Sequence, residues 1–206
     1  MASAPTPVPG PPSAGSGGGL GGGDGRGRGG FMGLEARGRR VAYVIDHSTS
    51  MSLGMRFEAA RSELLRSIRS LSPDQEFVVV LFNSGIDMMP EEGMMRAGKE
   101  GKAAAARWID RHDAGGFRDG SDAWPAMRLV LERKPDTVFL LTDGAFADES
   151  IVDSVRELNR WPSGAIIHAI ALHAPDGERA LQKIAKENGG EYTFIPAPVD
   201  RRFERP

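Results

Sequence analysis

Val41-Ala42-Tyr43-Val44-Ile45-Asp46-His47-Ser48-Thr49-Ser50-Met51 is the stretch whose reading decides the fold. Its first half is a short apolar, β-branched run, the pattern of a strand buried on both faces. Its second half changes character at once, with a carboxylate and two hydroxyls, Asp46, Ser48 and Ser50, at alternating positions. In an extended loop that alternation puts three hard oxygen donors on one side.

Outward from this stretch, strand and helix signals take turns. Phe57, Ala60, Leu64, Leu65, Ile68 and Leu71 recur at helical spacing, and Ser72-Pro73 predicts the stop. Phe77-Val78-Val79-Val80-Leu81-Phe82 reads as a second buried strand. Residues 86–95, with Pro90 and Gly93, read as an edge strand or hairpin. Helices are expected over 102–111 and 123–132, and Thr137-Val138-Phe139-Leu140-Leu141-Thr142 reads as a third core strand. Ile151, Val155 and Leu158 mark a further helix, 165–172 a strand, and 180–186 a helix closed by Asn188-Gly189-Gly190. A last strand is expected over 191–195. Continuous apolar strands separated by amphipathic helices predict an α/β fold: a Rossmann-like, doubly wound, mostly parallel central sheet with helices on both faces. Ligands of such sheets bind beyond the carboxyl ends of the strands.

The chain of 206 residues is long enough for one domain with a proper core. A net charge of −2 argues against a nucleic-acid or polybasic membrane role for the whole chain. The absence of cysteine excludes disulfides, thiolate zinc sites and thiol chemistry. No apolar run approaches the ~18 residues of a spanning helix, and Met1-Ala2-Ser3-Ala4-Pro5 opens no signal peptide pattern. The expectation is a soluble, monomeric protein whose compartment stays open, since a tether upstream would not show. Residues 1–33, Pro-rich and then Gly-rich, are expected to be a disordered tail or linker, 34–199 the domain, and 200–206 a C-terminal tail. Gly25-Arg26-Gly27-Arg28-Gly29-Gly30 carries two arginines, few for an RNA-binding segment, and reads as a flexible tether.

Two further oxygen-bearing loops fall at predicted strand ends. Thr142-Asp143-Gly144 supplies a second carboxylate, and Gly120-Ser121-Asp122 opens a helix and offers another hydroxyl. Oxygen donors without a His or Cys pattern favour Mg²⁺ or Mn²⁺ over zinc or copper. Asp46-x-Ser48-x-Ser50, then Ser121, then Thr142-Asp143-Gly144 resemble the metal-ion-dependent adhesion site of the von Willebrand factor A family, over roughly residues 31–196. The lead-in from Phe31 to Arg40 is similar to that of bacterial members.

The resemblance implies that Ser48 and Ser50 ligate a metal ion through their hydroxyls, with Ser121 where the family has threonine. It implies that Asp46 and Asp143 act directly or through water, and that a carboxylate of a protein partner completes the coordination. Neutral hydroxyl ligands leave the ion positively charged, which an incoming Asp or Glu neutralises. No catalysis is implied. The loop 113–120 is longer than the family pattern, and an alignment on Gly115-Gly116 would put Phe117 at the ligand position and break the site. Ser121-Asp122 followed by Pro125-Ala126-Met127 matches the family's helix start better.

Two other functions compete. One is a domain that keeps the fold and has lost the ion. The other is a Mg²⁺-dependent phosphohydrolase, with Asp46 as nucleophile and Lys134 or Lys183 as the phosphate cation. His47 falls at the motif's variable position and reads as an exposed loop residue rather than a ligand, and the remaining histidines share no metal-like spacing.

Overall fold

A computed structural model describes residues 30–112, 118–144, 150–162, 164–174 and 177–197. Residues 1–29 of the expected tail 1–33, the Gly115-Gly116-Phe117 alternative and the C-terminal segment 200–206 lie outside the described residues.

The chain opens with a small hairpin, β1 (Gly30–Phe31) against β2 (Leu34–Glu35). It continues through β3 (Arg40–Asp46), a 3-10 segment (Thr49–Met55) and α1 (Arg56–Ser70). Then come β4 (Glu76–Phe82), β5 (Ile86–Met89), β6 (Met95–Arg96) and α2 (Lys99–Arg111). The second half holds α3 (Ala123–Glu132), β7 (Thr137–Thr142), α4 (Ser150–Leu158), β8 (Ile166–Leu172), α5 (Glu178–Glu187) and β9 (Tyr192–Ile195). The main sheet runs β5-β4-β3-β7-β8-β9, with β6 also on β4. β3, β4, β7, β8 and β9 pair in parallel, and β5 and β6 pair antiparallel to β4. The α/β architecture read from the sequence is the one observed, and the 86–95 segment resolves into two short antiparallel strands.

Alternation along each strand sorts the core into two layers. Val41, Tyr43, Ile45, Phe77, Val79, Leu81, Phe139 and Leu141 pack with Phe57, Leu64 and Ile68 of α1 and Ile109 of α2. Ala42, Val44, Val78, Val80, Val138 and Leu140 pack with Met127 and Val130 of α3, Val155 of α4 and Leu181 of α5. Both faces of the sheet are thus covered, which is why the strands read as unbroken apolar runs.

The hairpin closes one end of the first layer. Phe31 is fully buried and its ring centroid lies 5.6 Å from those of Tyr43 and Phe139. The packed structure therefore takes in residues before Leu34, where composition had placed the domain's start. The Gly-rich surroundings of Phe31 hid it.

Helix ends follow local chemistry. α5 ends at Asn188, and Gly189 takes φ +67°, a left-handed conformation that costs glycine nothing. Gly190 packs so closely that a Cβ would lie 2.0 Å from the Ile167 carbonyl oxygen. After α3, Lys134 fills the equivalent left-handed position with φ +50°, its N–H donating to the Leu131 carbonyl at 2.9 Å. Lys134→Gly is expected to raise stability by about 0.5–1 kcal/mol, because a side chain strained there is exchanged for the residue the position favours. Denaturant midpoints of the two proteins check it.

His168, on β8, is buried, stacks on Phe139 at 5.3 Å and accepts the Glu191 N–H on Nδ1 at 3.2 Å. Burial pushes its imidazole below the ordinary value of 6.5, with Arg37 acting in the same sense and Glu191 and the Glu35 carbonyl opposing. A histidine kept neutral in the fold gives stability that is present above pH 6.5 and lost as pH falls through the depressed folded value. Thermal melts from pH 8 to pH 5 are expected to show that loss, and His168→Gln to reduce it, the part owed to His47 and His173, whose pKa values burial also lowers, remaining.

Candidate functional site

β3 lies at the centre of the sheet, between β4 and β7. The chain leaves β3 for α1 on one face and leaves β7 for α4 on the other, so the two connections part above their shared carboxyl edge. That is a topological switch point, where the carboxyl ends of open α/β sheets leave a crevice. Asp46 ends β3, and Thr142 and Asp143 stand at the end of β7.

Asp46 is fully buried and holds three donors. Its Oδ1 accepts the Ser48 N–H at 2.8 Å, an Asx-type turn that fixes the start of the loop. Its Oδ2 accepts the hydroxyls of Ser121 and Thr142, each at 2.6 Å. Ser48 Oγ lies 3.0 Å from Ser50 Oγ, and Ser50 donates to Asp143 Oδ1 at 2.7 Å. Arg56, the first residue of α1, places its guanidinium on Asp143 Oδ2 and donates to the Ser50 carbonyl at 3.3 Å. Ser48, Asp143 and Thr142 are buried with Asp46.

The third loop is held by backbone. Thr49 N–H donates to the Arg118 carbonyl at 3.2 Å, Ser48 bridges Arg118 in parallel fashion, and the Thr49 hydroxyl donates to Asp119 at 2.9 Å. Asp122 then caps α3 by accepting the Trp124 N–H at 3.0 Å. Ser121, one residue earlier, is thereby carried over Asp46 from a segment 75 residues away.

The structure thus draws Asp46, Ser48, Ser50, Ser121 and Asp143 into one hydrogen-bonded group. Two participants were not singled out in the sequence. Thr142 was quoted within the Thr142-Asp143-Gly144 motif but given no role of its own. Arg56 carries a signal of its own: a cation in the first turn of a helix opposes the helix dipole and calls for a buried anion nearby.

His47, expected to be an exposed loop residue, is instead buried beneath the loop, its Nε2 3.1 Å from the His112 carbonyl and its ring 4.6 Å from Phe57. Burial lowers its pKa, and its side chain belongs to the packing under the site. On the outer side, Leu53 and Met55 are 61% and 69% exposed. They stand on a segment tied at Ser50 and at Arg56 to the two oxygens of Asp143. Trp124 is half-buried against the second core layer.

The donor set consists of two carboxylates and four hydroxyls. Among the described residues no three His, Cys, Asp or Glu side chains gather as a metal cage. Any ion here would rest largely on neutral hydroxyls, a donor set that suits a hard divalent cation retaining several waters. The phosphohydrolase reading finds little support: Lys134 follows α3 at the opposite, amino-terminal edge of the sheet, and Lys183 is exposed on α5.

An open α/β sheet carrying a three-loop oxygen cluster at its switch point defines a class of ligand-binding domain. The sequence matches the family model for the von Willebrand factor type A domain over residues 39–194, and the chain belongs to that family. Such domains are generally non-enzymatic adhesion or scaffold modules. A von Willebrand factor A domain-containing protein of Dictyostelium discoideum is 30% identical over 167 residues, covering 79% of this chain but 18% of that protein's length.

Among solved structures, a von Willebrand factor type A protein from Catenulispora acidiphila superposes with a TM-score of 0.66 at 20% identity, covering 78% of this chain and 39% of that one. A mussel byssus proximal thread matrix protein, described with a zinc-occupied MIDAS motif, superposes with a TM-score of 0.57 at 19% identity, covering 85% and 43%. Among the described residues no helix is long and apolar enough to cross a membrane.

Proposed function

We propose that this domain binds a protein partner through a divalent ion, Mg²⁺ or Mn²⁺, and that it is not an enzyme. Ser48, Ser50 and Ser121 would hold the ion, with Asp46 and Asp143 behind them directly or through water. The ion supplies an electrophilic site for an Asp or Glu carboxylate of the partner. The chain's own residues do the positioning: Asp46 orients Ser121 and the Ser48 backbone, and Asp143 orients Ser50.

The observation that carries this reading is the convergence of hydroxyls from two separate loops on carboxylates from two adjacent strand ends. Packing alone does not require buried carboxylates there, since an apolar residue in place of each would cost less than desolvating a charge. The mussel protein's zinc-occupied motif lends support from a relative of the same fold.

The test is a titration of Mn²⁺ into the metal-free protein, followed by the electron paramagnetic resonance signal of the free ion. One site per chain, competed by Mg²⁺ and weakened at least tenfold in Ser121→Ala, is expected. A second reading, an ion-free structural module, draws on one observation: Arg56 already places a positive charge on Asp143. A folded protein that leaves all added Mn²⁺ free selects that reading.

A further inference from the structure

We propose that Arg56 is a built-in counter-ion of the site, which weakens its hold on the divalent ion and leaves the loaded site positive toward an incoming carboxylate. The inference rests on the metal-dependent reading above and concerns how that site is tuned.

Asp143 is almost wholly buried at 1% exposure and both its oxygens are committed, Oδ1 to the Ser50 hydroxyl and Oδ2 to the Arg56 guanidinium. Arg56 is itself largely enclosed, 21% exposed, and its Nη1 also reaches the Ser50 carbonyl. It therefore touches two of the residues that would surround the ion.

Local backbone preferences work against this placement. The helix dipole disfavours a cation at the first residue of α1. Met55, just before it, is held at φ +58°, a left-handed conformation uncommon for a residue other than glycine. A surface arginine with no task would turn to solvent; this one is directed inward.

The charge count follows. Two carboxylates and one guanidinium give the metal-free site −1, and a divalent ion takes it to +1. Without Arg56 the same site would run from −2 to 0, holding the ion more tightly and presenting no net charge to an acidic partner. Among the exposed neighbours Arg118 and Asp119 offset one another; Asp122, which accepts the Trp124 N–H, and His173, which interacts with Arg56 and Asp143, lie outside this count and are the same with or without Arg56. Because a guanidinium does not deprotonate in proteins, the bias is constant with pH.

Mn²⁺ affinity of the intact chain, read from the free-ion paramagnetic signal, decides the matter. Arg56→Gln is expected to bind Mn²⁺ about tenfold more tightly than the natural protein, the order of effect that removing a nearby unit charge from a divalent site produces even with water's screening. Arg56→Lys, which keeps the charge, is expected to stay near the natural value.

Arg56→Gln binding no tighter, or Gln and Lys both weakening the site, would overturn it, since an arginine that merely braces the loop gives that result. If the natural protein and both variants leave Mn²⁺ free while melting cooperatively in EDTA, the metal-dependent reading fails and takes this inference with it. Should Gln unfold the domain, Arg56→Met, which retains the apolar stem's packing, carries the same prediction.

Discussion

Adding Mg²⁺ at about a hundred times its dissociation constant is expected to raise the midpoint of thermal unfolding by roughly 5–10 °C, and Asp46→Asn is expected to abolish the rise. An ion that binds only the folded state stabilises it by RT ln(1 + [L]/Kd), about 2.7 kcal/mol at that excess. For a domain of this size each kcal/mol moves the midpoint by roughly 2–4 °C.

The variant matters as much as the ion. Asp46 accepts one N–H and two O–H groups in a fully buried position. Alanine would leave three donors unsatisfied, at about 1–3 kcal/mol each, and would confuse loss of the site with loss of the fold. Asparagine keeps the shape. Its carbonyl oxygen can accept the Ser48 N–H while its amide faces the Ser121 and Thr142 hydroxyls, which can turn to accept. A neutral side chain also escapes the desolvation that a buried carboxylate suffers. The metal-free Asp46→Asn protein is therefore expected to melt within a few degrees of the natural one, or above it. A natural protein whose melting ignores Mg²⁺ and Mn²⁺ would remove the basis for metal-dependent binding.

The parts of this molecule that were legible in the sequence are those where one physical requirement dominates. β3, β4, β7 and β8 are covered on both faces, so burial alone dictates their apolar runs. α3 was read with its exact bounds, Ala123–Glu132, because Asp122 gives the capping signal and the apolar stripe does the rest. Asp46, Ser48, Ser50 and Asp143 were found because short polar side chains at the ends of apolar strands stand out. Ser121 needed more: nothing within its loop says that it reaches Asp46, and only the Thr49–Arg118 and Thr49–Asp119 contacts bring it there. Arg56 was missed because its partner is 87 residues away and helical periodicity registers only the apolar face of α1. Tertiary pairing of charges leaves no period to read.

Phe31→Ala is expected to cost about 3–4 kcal/mol, a loss of roughly 6–16 °C in melting midpoint, although the residue sits in a stretch that composition alone assigns to a tail. Phe31 has no exposed surface, and it completes an aromatic group in which Tyr43 and Phe139 are stacked at 5.6 Å. Its removal strips a buried ring from the first core layer and opens a void between β3 and β7. Two features hold the estimate below the upper range for a phenylalanine. β1 and β2 are two residues each, and a hairpin that short can let go and allow partial collapse of the cavity. The layer also holds Ile68 of α1 and Leu71 just after it, which lie outside the hairpin.

The position of the domain's edge follows from the same measurement. A chain shortened to begin at Leu34 is expected to lose about as much stability as Phe31→Ala, and Phe31→Leu to recover more than half of it by refilling the space. If both the shortened chain and Phe31→Ala melt with the natural protein, the hairpin contributes nothing to the core, and the boundary belongs at Leu34 after all.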